Sequence, residues 1–110
     1  MRVKISKNSI EAQPCTSYLS RAIGLMFTPK PKPLLFIFKK EAIYPLHMWF
    51  VFFPIDVVFM DKAKRVVELK EDFRSFTLYS PKHKAQYILE LPRGSIKRFR
   101  IKKGAKLYIK

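Results

Sequence analysis

Asp56 stands alone among apolar residues in HMWFVFFPIDVVFM, the most water-averse stretch of a chain that otherwise abounds in lysine and arginine. A carboxylate among phenylalanines has two physical solutions. It can lie in a pocket, where desolvation raises its pKa and suits it to acid or base work. It can also accept backbone N–H bonds and fix the bend beside Pro54, a structural role that the residues favour. His47 opens the same stretch, but His83 is the only other histidine and Cys15 the only thiol, so a closed zinc site with four side-chain ligands is not readable. Ser75, Ser80 and Ser95 supply hydroxyls, yet no G-x-S-x-G elbow, P-loop or G-x-G-x-x-G accompanies them. No catalytic residue, metal or cofactor is therefore assigned. The expectation is a non-catalytic binding or accessory module, with a small enzyme or small-ligand binder using a polar pocket around Asp56 and His47 as the alternative.

Charge is the second chemical signal. Lysine and arginine number 23 against 8 acids, a formal net charge of +15. Arg93 to Lys110 carries eight of those cations and no acid. Such a field attracts polyanions through counterion release without reading sequence. Lys97, Arg98, Arg100, Lys102, Lys103 and Lys106 are the expected contacts for weak, nonspecific nucleic-acid binding. Solubility or heat adaptation would account for the same charge. Scarce Gln and Asn beside abundant Lys lean toward a heat-adapted source. Tyr44, Trp49, Phe50, Phe52 and Phe53 could stack bases, but their apolar alternation makes them core before platform. Without an RRM-type signature or a GXXG loop, base specificity has no support.

These residues have to be held by a small frame. A chain of 110 residues is expected to form one domain over 1–110. The lone cysteine fits a reducing compartment, and MRVKISKNSIEAQ has no apolar export segment, so a cytoplasmic protein is expected. RVKIS alternates as a strand with Val3 and Ile5 inward, and SYLSRAIGLMF has helical spacing at Leu19, Ala22, Ile23 and Met26, with Thr16 or Ser17 as cap. TPKPKP then forbids helix and strand pairing alike. LLFIFKK suits a strand buried on both faces. YPLHMWFVFF and IDVVFMD read as two strands flanking Pro54, DKAK as a turn, RVVELKEDF, FTLY and AQYILEL as further strands, GSIKRFR as a helical turn and KLYIK as a last strand.

Ala42 to Met60 also approaches membrane-spanning length. A central aspartate costs ~2.5 to 3.5 kcal/mol to insert, and Pro45 and Pro54 break backbone bonds besides. A run rich in Val, Ile, Phe and Trp belongs in strand interiors. The expected fold is mostly β: a small closed or nearly closed barrel of six to seven short strands, with one short helix near residues 17–26, a helical turn near 94–100 and no integral membrane segment.

The blocks SRAIGLMF, PLLFIF, HMWFVFFPIDVVFMD, RVVEL and YILELPRGSIKRFRIKKGAKL, in that order, resemble the signatures of the domain of unknown function 192, also called uncharacterised protein family 0127. The resemblance runs from Ser20 to the end of the chain. Ser20, His47, Phe50-Val51 and Ala105 depart from the residues usual at those positions. It implies a compact, mostly β, barrel-like domain and no activity. A site built on family positions would use Arg21, His47, Asp56 and Glu90, the polar residues set within apolar blocks; the structural alternative pairs Asp56 with Arg21.

Overall fold

The computed structural model describes residues 1–17 and 24–110. Five strands form the central sheet: β3 (Gln13–Cys15), β4 (Leu34–Ala42), β9 (Ala85–Pro92), β6 (Ile55–Met60) and β7 (Val66–Phe73), in that spatial order. All its pairings are antiparallel except β3 with β4. A three-stranded sheet has β1 (Arg2–Ile5) between β10 (Tyr108–Ile109) and β2 (Asn8–Glu11), and β5 (Leu46–His47) pairs with β8 (Leu78–Tyr79). One helical turn, α1 (Ser95–Arg98), follows β9.

Strand β6 explains the layering. All six of its residues are buried, so both of its faces are covered. Val58 and Met60 join Leu35, Leu89 and Leu91 in one cluster, beneath Val3 and Ile5 of β1 and Ile96 of α1. Val57 and Phe59 join Leu34, Phe36, Ile88, Met48 and Phe73 on the other side. Period-two alternation within strands β4, β6 and β9 thus feeds two cores, one on each face of a single sheet. Tight turns suit the short connections. Asp61 Oδ1 accepts the N–H groups of Ala63 (2.9 Å) and Arg65 (3.0 Å), which closes the turn into β7.

The architecture is mostly β, as expected, but no sheet among the described residues closes into a barrel. A barrel strand shows one face to the interior and the other outward, whereas β6 needs cover on both. Strand count also exceeds the six to seven expected: NSIE and QPC pair as β2 and β3 although their sequences carry no apolar alternation. The helical turn lies where it was expected. The helix near residues 17–26 falls largely outside the described residues, and 24–27 form a turn. YPLHMWFVFF proves to be mostly loop, with only Leu46–His47 paired, and its Trp49, Phe50 and Phe52 are exposed rather than core. No described helix is long and apolar enough to cross a membrane.

Two sealed cores make a direct prediction. Phe59→Ala should lower unfolding free energy by about 3–5 kcal/mol and Leu89→Ala, on the opposite face, by about 2–5 kcal/mol. Urea denaturation measures both; a loss below about 1 kcal/mol at either position would mean that its face is not sealed.

Candidate functional site

Asp56 lies on the face of β6 that meets α1. Its Oδ1 accepts the N–H of Asp72 at 3.0 Å, and its Oδ2 accepts those of Gly94 at 3.1 Å and Ile96 at 2.9 Å. The helix-capping residue, Gly94, has no side chain to bond the first turn, so a carboxylate 38 residues away in sequence does so instead. Gly94 has φ +90, the left-handed region that glycine enters without strain, and space around its Cα is open. Conformation, not crowding, requires the glycine. Asp56 is buried and fully engaged in holding two chain reversals together.

Glu90 faces the other way. Strand β9 sends Leu89 and Leu91 to the α1 side, while Ile88 packs in the opposite cluster and Glu90, two residues on, shares that side. There it lines a pocket of about 820 Å³. Phe36, Phe38, Tyr44, Leu46, Met48 and Val51 make the apolar walls among the described residues, with Leu25 and Met26 beside them and Lys39, Lys40 and His47 supplying charge and polarity. Burial pushes the Glu90 carboxyl up to about 8. No described residue donates a hydrogen bond to it, so at neutral pH it is largely a protonated acid, able both to donate and to accept. His47 is exposed; its Nδ1 accepts the Trp49 N–H at 3.2 Å and its ring stacks on Trp49 at 6.4 Å.

Of the four family-position candidates, the fold therefore brings His47 and Glu90 to one pocket and puts Asp56 on the far side of the sheet. Arg21 lies outside the described residues. Lys97, Arg98, Arg100, Lys102, Lys103 and Lys106 are all exposed, and none is in an ion pair among the described residues.

A third buried carboxylate, Glu68, escaped the sequence reading. Glu68 of β7 accepts the Tyr79 hydroxyl on Oε2, and on Oε1 the N–H groups of Lys82 (2.9 Å) and His83 (3.0 Å); its Oε1 also meets His83 Nδ1 at 2.9 Å. Burial acts to raise the Glu68 pKa, but the bonds from Tyr79, His83 and the loop amides outweigh it and hold the carboxyl below its ordinary value. Burial and the Glu68 charge push Tyr79 up to about 12. Alternation in RVVEL would have put Glu68 on the Val66 side, but a bulge in β7 shifts the register, so that Val66 pairs with Met60 and Glu68 with Phe59, on the opposite face. The cluster ties β7 to the 80–84 turn and leaves half of His83 open to solvent.

Comparison with known proteins follows the same outline. The family DUF192, described as an uncharacterised ACR, matches residues 1–109. A UPF0127 protein of Thermococcus kodakarensis is 36% identical over 91 residues, which span 80% of this chain and 57% of that protein. One from Pyrococcus horikoshii is 37% identical over 86 residues, 76% of this chain and 74% of its own length. Both come from thermophilic archaea, which fits the composition. The crystal structure of a protein of unknown function from Novosphingobium aromaticivorans superposes with TM-score 0.91 at 19% identity, covering 99% of this chain and 84% of that one, a likeness of fold.

Asp56→Asn replaces one accepting oxygen by an NH₂ group that faces amide donors. Stability should fall by about 1–3 kcal/mol in urea denaturation. Dye binding in the Glu90 pocket should persist, because the sheet separates the two carboxylates; loss of pocket binding at full stability would show Asp56 to be part of a ligand site instead.

Proposed function

This chain belongs to the DUF192 family, and from that premise we propose that it is a cytoplasmic, non-catalytic binding module, one domain over residues 1–110, whose pocket takes a mainly apolar small molecule bearing one hydrogen-bonding group. The observation that carries the reading is Glu90: a buried carboxyl without a described partner, in the wall of a mainly apolar cavity of about 820 Å³. Cavities of this size bury drug-sized molecules, with a few placed polar groups fixing orientation. A protonated Glu90 offers a donor to a carbonyl or hydroxyl of the ligand. Lys39 and Lys40 favour an anionic group on its other end. Catalysis has less support. Tyr44 spends its hydroxyl on the Lys40 carbonyl at 2.7 Å, and no described carboxylate orients His47 as a base.

The basic end carries a second reading, weak polyanion binding. Its observation is the exposure of all six cations from Lys97 to Lys106 around α1, with no acid in the same segment. Binding of duplex DNA should weaken with salt at a log–log slope of ~0.9 per phosphate neutralised. Replacing Arg98, Arg100 and Lys102 by Gln should flatten that slope equally for two unrelated oligonucleotides in fluorescence anisotropy. No binding at low salt would reduce the charge to a solubility device.

Glu90 makes the pocket testable without knowing its ligand. An acid whose pKa is raised on folding is proton-bound in the folded state where the unfolded chain has released its proton. Stability from this group is therefore full below the ordinary carboxylate range and declines as pH rises toward about 8. Glu90→Gln should flatten that decline and make the protein more stable at pH 8, by up to a few kcal/mol at ~1.4 kcal/mol per pKa unit. An anionic apolar dye such as anilinonaphthalene sulfonate should bind with one-to-one stoichiometry, and Leu46→Trp, which fills the cavity, should abolish it. Dye binding unaffected by Leu46→Trp would reject the pocket as the site.

A further inference from the structure

We propose that the exposed rings of Phe27, Phe50, Phe52 and Phe76 form a docking surface for an anionic lipid bilayer. Their exposures are 66%, 46%, 63% and 45%. They touch one another: Phe27 stacks on Phe50 at 4.9 Å, Phe50 meets Phe76 edge-on at 6.0 Å, and Phe52 meets Phe76 at 5.6 Å. Exposed phenylalanines occur singly on many proteins, but a contiguous group marks an interaction surface.

Their backbones make the arrangement harder to read as accident. Phe27, Phe50 and Phe76 have φ of 61, 58 and 58, the left-handed conformation that a bulky residue adopts only when its surroundings impose it. The imposing bonds are plain. Phe27 N–H donates to the Phe50 carbonyl at 2.8 Å, Phe76 N–H to the Met48 carbonyl at 2.8 Å, and Met48 N–H to the Thr77 carbonyl at 2.9 Å. Three loops are thereby laced together, and strain is accepted at the very residues whose rings stand in water.

Charge chooses the occupant. The segments that bring in these rings, 24–32, 46–53 and 74–84, contain Lys30, Lys32, Lys82 and Lys84 and not one acid, while Arg74 at the edge is paired with Asp72 at 2.8 Å. A second copy with the same cationic border and the same +15 charge would be repelled. Nucleic acid would want separate ring faces for its bases, whereas here the rings spend faces and edges on each other. An anionic bilayer accepts both parts of the surface: aromatic rings settle at the headgroup level, and lysines meet lipid phosphates. Met26 and Val51, next to the rings in sequence, line the Glu90 pocket, so two loops contribute to both features. The bilayer surface itself is proposed from the rings and their border and stands without a pocket ligand.

Trp49, the only tryptophan, lies next to Phe50 and reports directly. With vesicles of phosphatidylcholine plus phosphatidylglycerol at near-physiological salt, the protein should cosediment and Trp49 emission should shift to the blue; with phosphatidylcholine alone both effects should be weak. Combining Phe52→Ser with Phe76→Gly should cut partitioning by at least about tenfold. Phe76→Gly alone relieves a strained φ, so it should maintain or raise the thermal midpoint while weakening vesicle binding, which a merely structural ring would not do. Three results would overturn the proposal: cosedimentation without a Trp49 shift, partitioning that ignores the phenylalanine substitutions, or a dimer in sedimentation velocity that those substitutions dissolve. Vesicle binding in a protein that fails to bind dye would refute the pocket and leave this surface standing.

Discussion

Two chain segments on one side of the central sheet hang from the Asp56 carboxylate. It reaches the end of β7 through Asp72 and the start of α1 through Gly94 and Ile96, so one buried anion fixes where two chain segments turn. The energetics demand this density of bonds. A carboxylate removed from water is tolerable only when donors replace its hydration, and three backbone amides at 2.9–3.1 Å do so here. α1 is only four residues long and could not hold its place by helix propensity. With its first turn bonded to β6 and Ile96 buried below, it can hold Lys97 and Arg98 out in solvent.

Three buried carboxylates show three outcomes of one constraint. Asp56 is satisfied by backbone amides, and Glu68 by a phenol, two amides and an imidazole. Glu90 has no such set among the described residues and answers burial by holding its proton. The first two arrangements finish a structure; the third leaves unused hydrogen-bonding capacity beside a cavity. That contrast is why the pocket reading rests on Glu90 and not on Asp56, although the latter was the more conspicuous in sequence.

The same sheet that separates Asp56 from Glu90 gives the molecule two unlike surfaces. On the α1 side lie the cations of Arg93 to Lys110, attached to a well-capped turn. On the other, β4, β5 and the loops at 24–26 and 44–51 line the pocket, and the loops beside them carry exposed aromatic rings. Burying β6 on both faces makes this division possible, because each core can then be closed by different elements. A closed barrel would have turned one of those faces inward for good.

By itself the sequence determined what depends on periodicity, composition and local backbone chemistry. IDVVFM was readable as a core strand, AQYILEL as an alternating one, GSIKR as a helical turn, DKAK as a turn, and the ordered blocks identified the family. Tertiary structure alone decided what depends on which neighbour arrives. Alternation shows that residues 56 and 58 share a face but not which layer covers it, so the amide donors 16 to 40 residues from Asp56 could not be read from the chain. NSIE and QPC lack a pattern because their pairing comes from β1 and β4, whose backbones supply the bonds whatever side chains they carry. HMWFVFF has the composition of a core strand and the structure of a loop, since N–H groups donated by Phe27 and Phe76 and the Met48 N–H donated to Thr77 hold its backbone in turns that push Phe50 into the left-handed region and leave Trp49, Phe50 and Phe52 in water. Composition counts apolar surface, but the backbone partners decide which of it is buried.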